Sequence, residues 1–154
     1  MAKTSKHHTS KHKKTMRKHY GGAKHTSTKD LIPTFLHMLN TVKLYHWKTT
    51  NYATHKATDQ LHADLSLKID SFVEILLGKP ENTPTSRRND ILKTQSLQFK
   101  QYKNNEDFKK QVEEYKNFLE TLPIVKQPNN NDLANIRDDI LGTMNQFLYL
   151  LTLS

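Results

Sequence analysis

There is no cysteine in this 154-residue chain. Disulfides and thiolate metal sites are therefore excluded, and any metal must be held by histidine and carboxylate. Long apolar runs are missing too. No stretch approaches the ~20 residues that span a bilayer, and the N-terminus lacks the apolar centre of a signal peptide. We expect no membrane association and an intracellular or particle-enclosed protein. The first 29 residues contain no acid, against nine Lys or Arg and five His. Hydrophobic residues make up only 34% of the chain, low for a compact fold, and this basic segment is the cause. No internal repeat, glycine-rich phosphate loop or strand of useful length is visible.

The remaining 125 residues balance 15 Lys plus Arg against 15 Asp plus Glu, so the whole formal charge of +9 sits in the N-terminal segment. The domain plan that follows is a Lys/His-rich arm over residues 1–28 and one domain over residues 29–154, long enough to bury a core. The arm reads as disordered, because Lys, His, Thr and Ser bury too little surface to offset ordering entropy. Its Lys3, Lys6, Lys11, Lys13, Lys14, Arg17, Lys18 and Lys24 are candidate nucleic-acid contacts, since an acid-free basic run releases condensed counterions from phosphates. A solvating tail and a nuclear-import signal are the other readings of the same residues.

The domain reads as all-α. Leu31, Phe35, Met38, Leu39, Val42 and Tyr45 recur at the three-to-four spacing of a helix with one buried face, with Ser27 or Thr28 as its cap. Thr49, Thr50 and Asn51 mark a short connection. A second helix, about 52 to 77, carries Leu61, Leu65, Ile69, Phe72, Val73 and Leu76 inside, and Gly78 and Pro80 stop it. Residues 79–104 read as an exposed crossover with a short helix or extended piece near 91–92 and 97–102. A third helix spans about 106–122, with Phe108, Val112, Tyr115, Phe118 and Leu119 inside. A fourth, capped within 129–132, carries Leu133, Ile136, Ile140, Leu141, Met144, Phe147, Leu148 and Leu151. Its end, 147–153, is apolar nearly all round and points to a subunit contact. The long crossover lets the third helix begin at the far end of the bundle. That is the connectivity of a ferritin-like four-helix bundle, not of an up-and-down one.

The candidate chemistry lies on the second helix. His55, Asp59, His62, Asp70 and Glu74 fall mostly three, four or eight positions apart, which at about 100° per residue places them along one flank. His55 and Asp59 are one turn apart, as are Asp70 and Glu74. The pairs are 15 residues apart, ~22 Å along a helix, whereas ligand bonds are ~2 Å. One straight helix cannot bring both pairs to one ion. Antiparallel packing of the helix on its twin across a two-fold axis can, and makes two identical sites per dimer. His46, at the end of the first helix, completes each site. His and carboxylate ligands suit Fe(II), with Zn or Mn as competitors. Trp47 is then a neighbour that packs against the site and is oxidised in place of other targets. A solvated polar face is the plain alternative for the row, and His62 is as well placed to be a surface residue as a ligand.

Lys43-Leu44-Tyr45-His46-Trp47, followed by His55-x3-Asp59 and Asp70-x3-Glu74, resembles the Dps family of mini-ferritins, over roughly residues 30–78. In that family a His-Trp pair closes the first helix, a His and an Asp open the second, an Asp-x3-Glu pair follows, and the iron site lies between two subunits. The resemblance implies a DNA-protecting ferroxidase that oxidises Fe(II) with peroxide or oxygen, two irons per inter-subunit site, a dimer or a dodecameric shell, and a nucleoid or other DNA-associated location. His46, His55 and Asp59 would come from one chain, and Asp70 and Glu74 from the other. The link from His46 to His55 is shorter than the family's and lacks its glycine. Residues 135–141 and 145–151 depart from the usual family ending and look more like ferritin-like proteins of phages and large DNA viruses, which implies a virion or an infected cell. A non-enzymatic nucleic-acid-packaging or structural particle protein, with a vestigial metal site, is the alternative reading.

Overall fold

The structure, a computed structural model, describes residues 28–94 and 96–153. The arm over residues 1–27 and its expected phosphate contacts lie outside the described residues. Among the described residues every regular element is helical, so the chain is all-α. Five α-helices are present: α1 (Leu31–Lys48), α2 (Tyr52–Gly78), α3 (Thr85–Leu92), α4 (Asn105–Glu120) and α5 (Asn131–Leu151). No helix of the described residues is long and apolar enough to cross a membrane.

The ends of the helices follow local chemistry. Asn51 caps α2, its side chain accepting from the Thr54 N–H at 2.9 Å, and Asn104 caps α4 through the Asp107 N–H at 2.9 Å. The expected Ser27 or Thr28 cap rests on side chains outside the described residues. Thr28–Asp30 forms a 3-10 turn, and Asp30 precedes α1 with φ −89° and ψ −7° and makes no side-chain cap bond. Its backbone already runs in the helical direction, so the side chain cannot fold back over the first N–H groups. The helix after the crossover ends at Glu120 instead of 122: the Thr121 N–H bonds the Asn117 carbonyl, and Pro123 opens a separate short turn. Asn129, with φ 70°, supplies the left-handed residue of the turn before α5.

Side-chain pairs fix which helices meet. α1 and α2 form a hairpin across residues 49–51. Lys79 pairs with Asp132 at 2.7 Å, and Lys68 donates to the Thr143 hydroxyl and to the Asp139 carbonyl at 3.2 Å, so α2 and α5 run antiparallel. Tyr45 donates to Asn105 at 2.8 Å and His37 meets the Tyr115 hydroxyl at 2.6 Å, so α1 and α4 also run antiparallel. The core lies between these four helices. Phe35 packs edge-on against Phe72 with centroids 5.3 Å apart. Phe108 is fully buried, stacks on Tyr45 at 4.0 Å and meets Tyr102 and Phe147 edge-on. Every apolar residue expected inside is buried there or, for Leu39, Val73, Phe118, Ile136 and Leu141, partly buried against it.

Residues 79–104 contain more helix than their pattern suggests. Pro84, held at φ −58°, precedes α3, which buries Ile91 alone. Beyond it the chain is pinned to α1: His37 Nε2 donates to the Gln98 carbonyl at 3.0 Å, Phe99 stacks on the His37 ring at 5.2 Å, and Lys48 donates to the Tyr102 carbonyl at 2.5 Å. At the end of α5, Phe147, Leu148 and Leu151 are buried, while Tyr149 and Leu153 stay 62% and 66% exposed. Within one chain, then, only one side of that stretch is covered.

Candidate metal centre

The turn at residues 49–51 brings the end of α1 back beside the start of α2. His46, buried near the end of α1, and His55, in the first turns of α2, stack face to face with centroids 4.0 Å apart. Each ring also bonds the backbone of the other residue. His46 Nδ1 lies 3.1 Å from the His55 carbonyl, and His55 Nδ1 lies 3.1 Å from the His46 carbonyl. A carbonyl oxygen only accepts, so each Nδ1 carries the proton, and in the neutral ring Nε2 is the lone-pair nitrogen. This is the orientation that metal-binding histidines adopt when a carbonyl holds their far nitrogen.

Asp59 stands one turn after His55. Its carboxylate lies 3.8 Å from His46 Nε2 and is half exposed. Lys43, one turn before His46, lies 3.8 Å from the same carboxylate and 5.8 Å from the centroid of the Trp47 ring. His62, a further turn along α2, has its pKa lowered chiefly by burial and secondarily by the Lys43 ammonium; Asp59 opposes this. It is therefore favoured as a neutral imidazole.

Two residues beside this cluster had no role assigned from the sequence. Thr58 is buried, lies 3.3 Å from His46 Nδ1, and donates to the carbonyls of Thr54 and His55. Its position three residues after His55 is the one available sequence signal. Lys43 is the second, three residues before His46.

The other predicted residues fall elsewhere. Asp70 and Glu74 are exposed further along α2. Among the described residues no three His, Asp or Glu side chains of one chain are grouped to hold a metal. Asp59, Asp70 and Glu74 instead share an outward stripe of α2 with Ala63 and Leu67, the last 72% exposed. Trp47 departs from expectation within the chain: it is 68% exposed instead of packed on the histidines. One residue after the buried His46 is about 100° around the helix, which turns it outward.

The described helices form an all-α protein in which two stacked histidines and one carboxylate meet at a helix hairpin. By sequence, residues 46–151 match the model described as Family of unknown function (DUF5856), and the chain belongs to that family. The matched span includes all five candidate ligands. No curated protein and no solved structure matches the chain.

Proposed function

We propose that the chain is a Dps-like, metal-binding subunit that takes Fe(II) as its substrate at sites shared between two copies and oxidises it with peroxide or oxygen. The observation that carries this reading is the reciprocal Nδ1 bonding of His46 and His55, which leaves both Nε2 lone pairs free, that of His46 3.8 Å from the Asp59 carboxylate. The donor set fits a divalent first-row metal, with Fe(II) first and Zn or Mn as competitors. His46, His55 and Asp59 hold it from one side, and Asp70 and Glu74 of the partner subunit from the other. Carboxylates of this kind favour Fe(III) over Fe(II), and the dimer holds its ligands before the metal arrives.

The fold supports the same reading. The antiparallel pairing of α1 with α2, α1 with α4 and α2 with α5 makes α2 and α4 parallel. Residues 79–104 then serve as the long crossover of a ferritin-like four-helix bundle. The outward stripe of α2 suits an isologous contact. Placing Asp59 opposite Asp70 of the partner subunit puts the two-fold axis between Asp64 and Leu65, with Ala63 and the exposed Leu67 beside it. In this reading residues 1–28 bind DNA, and the assembly is a dimer or larger.

Fe(II) oxidation followed optically tests the reading, with His46→Ala plus Asp70→Ala as the control. A fast phase in the native protein and its loss in the double variant are expected. Equal rates in the two proteins would remove the ferroxidase and leave nucleic-acid packaging on the same scaffold.

A further inference from the structure

Tyr115 on α4 is buried. Its hydroxyl lies 2.6 Å from Nδ1 of His37 on α1, and the two ring centroids are 5.8 Å apart. The far nitrogen of the imidazole fixes the direction of that bond. His37 Nε2 lies 3.0 Å from the Gln98 carbonyl, which only accepts, so Nε2 carries the proton of the neutral ring. Nδ1 is then the lone-pair nitrogen, and the Tyr115 hydroxyl donates to it. The same imidazole is half-buried and stacks on Phe99, with centroids 5.2 Å apart and planes 8° from parallel. Burial pushes the Tyr115 pKa far up, so this phenol stays protonated and cannot give up an electron as a phenolate.

We propose that Tyr115 and His37 form a redox-active pair, in which Tyr115 yields an electron to a one-electron oxidant and passes its proton to His37 Nδ1. In that step the Tyr115 O–H bond breaks and an N–H bond forms on Nδ1. One electron leaves the phenol ring and reduces the oxidant. The products are a neutral phenoxyl radical and an imidazolium. The surroundings suit both. Electron loss alone would leave a positive charge in the core, where desolvation disfavours it. Moving the proton along the existing bond keeps Tyr115 neutral and places the charge on the half-exposed ring. There the imidazolium still donates to the Gln98 carbonyl, donates back to the Tyr115 oxygen, and lies over the face of Phe99, which attracts a cation. Thr41 lies beside the hydroxyls of both Tyr115 and Tyr102, and the Tyr102 ring meets Tyr45 edge-on at 6.3 Å. Tyr45 adjoins His46, so this run of rings gives the electron a route from Tyr115 to the histidine pair. Radicals formed from Fe(II) and peroxide are oxidants of this class. The biological use of the pair therefore rests on the function proposed above, whereas the pair itself needs no metal.

The test uses the full metal-free chain and tris(bipyridine)ruthenium(III), generated by a light flash with chloropentaamminecobalt(III) as the electron acceptor. High-field electron paramagnetic resonance of samples frozen at intervals reads the radicals. The chain has six tyrosines and one tryptophan, of which Trp47, Tyr52 and Tyr149 are exposed and should give short-lived signals. The native protein should add a long-lived tyrosyl signal, with the lowered g1 of a radical that accepts a hydrogen bond. That signal should vanish in Tyr115→Phe. His37→Gln keeps a hydrogen-bond acceptor but no base that holds a proton, and should slow formation of the signal about 100-fold. A histidine that serves packing alone would leave the rate unchanged, so equal rates in the native protein and His37→Gln overturn the proposal. So does a long-lived signal that survives Tyr115→Phe. Both variants should keep native far-UV dichroism, since phenylalanine fills nearly the same volume and residue 37 is half-buried; if Tyr115→Phe does not fold, the rate in His37→Gln decides. Because no metal is present, failure here leaves the Fe(II) oxidation test standing, and loss of Fe(II) oxidation leaves the pair standing.

Discussion

In the proposed metal site, Lys43 holds the position that decides how the half contributed by one chain behaves. Its ammonium lies 3.8 Å from the Asp59 carboxylate, with both groups partly exposed, and so competes with any cation for the same oxygens. Lys43→Met should tighten Mn(II) binding by about tenfold, equivalent to ~1.4 kcal/mol. Titration calorimetry checks this, and an unchanged affinity would exclude Asp59 as a ligand. Tyr102 makes a second prediction. Burial pushes its pKa up to about 12, and its hydroxyl donates to the buried Gln111 at 3.0 Å. The unfolded chain ionises near pH 10, before the folded one. The stability linked to this group is therefore complete below pH 10 and lost as pH rises to about 12. Tyr115 is shifted in the same direction, also chiefly by burial. Urea midpoints between pH 8 and 11.5 should consequently fall less steeply in Tyr102→Phe than in the native protein, without becoming flat.

At the scale of elements, the long helices were legible because their apolar residues recur every three or four positions and their stops are Gly78-Lys79-Pro80 and Pro123. α3 was legible only as a short helix or extended piece near 91–92, since it buries one apolar residue and shows no period to read. The histidine pair lay between these cases. The residue types were visible, but a spacing of nine across a turn says nothing about ring stacking. The three-residue turn and the Asn51 cap set that geometry. Trp47 was misjudged because it adjoins a buried residue in sequence, and one step along a helix is a turn of about 100°, which here carries it out to solvent. The stripe on α2 carries the prediction for this scale. Leu67→Glu places like charges beside the proposed two-fold axis. It should give a monomer in sedimentation with native far-UV dichroism, because Leu67 is 72% exposed in the single chain. An unchanged mass would mean that the copies meet elsewhere, for instance over Tyr149 and Leu153.

Over the whole molecule, composition separated a neutral domain from a basic segment, and periodicity supplied the helix inventory. The partner of each helix was less accessible, since pairing depends on contacts between residues far apart in sequence. That separation has a kinetic consequence. The α1–α2 hairpin closes over three residues, whereas Lys79–Asp132 and Lys68–Thr143 join positions 53 and 75 residues apart. Loop closure costs more entropy as the loop lengthens, so the α1–α2 hairpin should be established in the folding transition state and the α2–α5 seam should close after it. Removing the Lys68 or Lys79 contact should then chiefly speed unfolding, while truncating Leu61 or Val42 should slow folding. Chevron plots of such variants measure both limbs. If the seam variants slow folding as much as the hairpin variants do, α5 docks on α2 before the hairpin is complete.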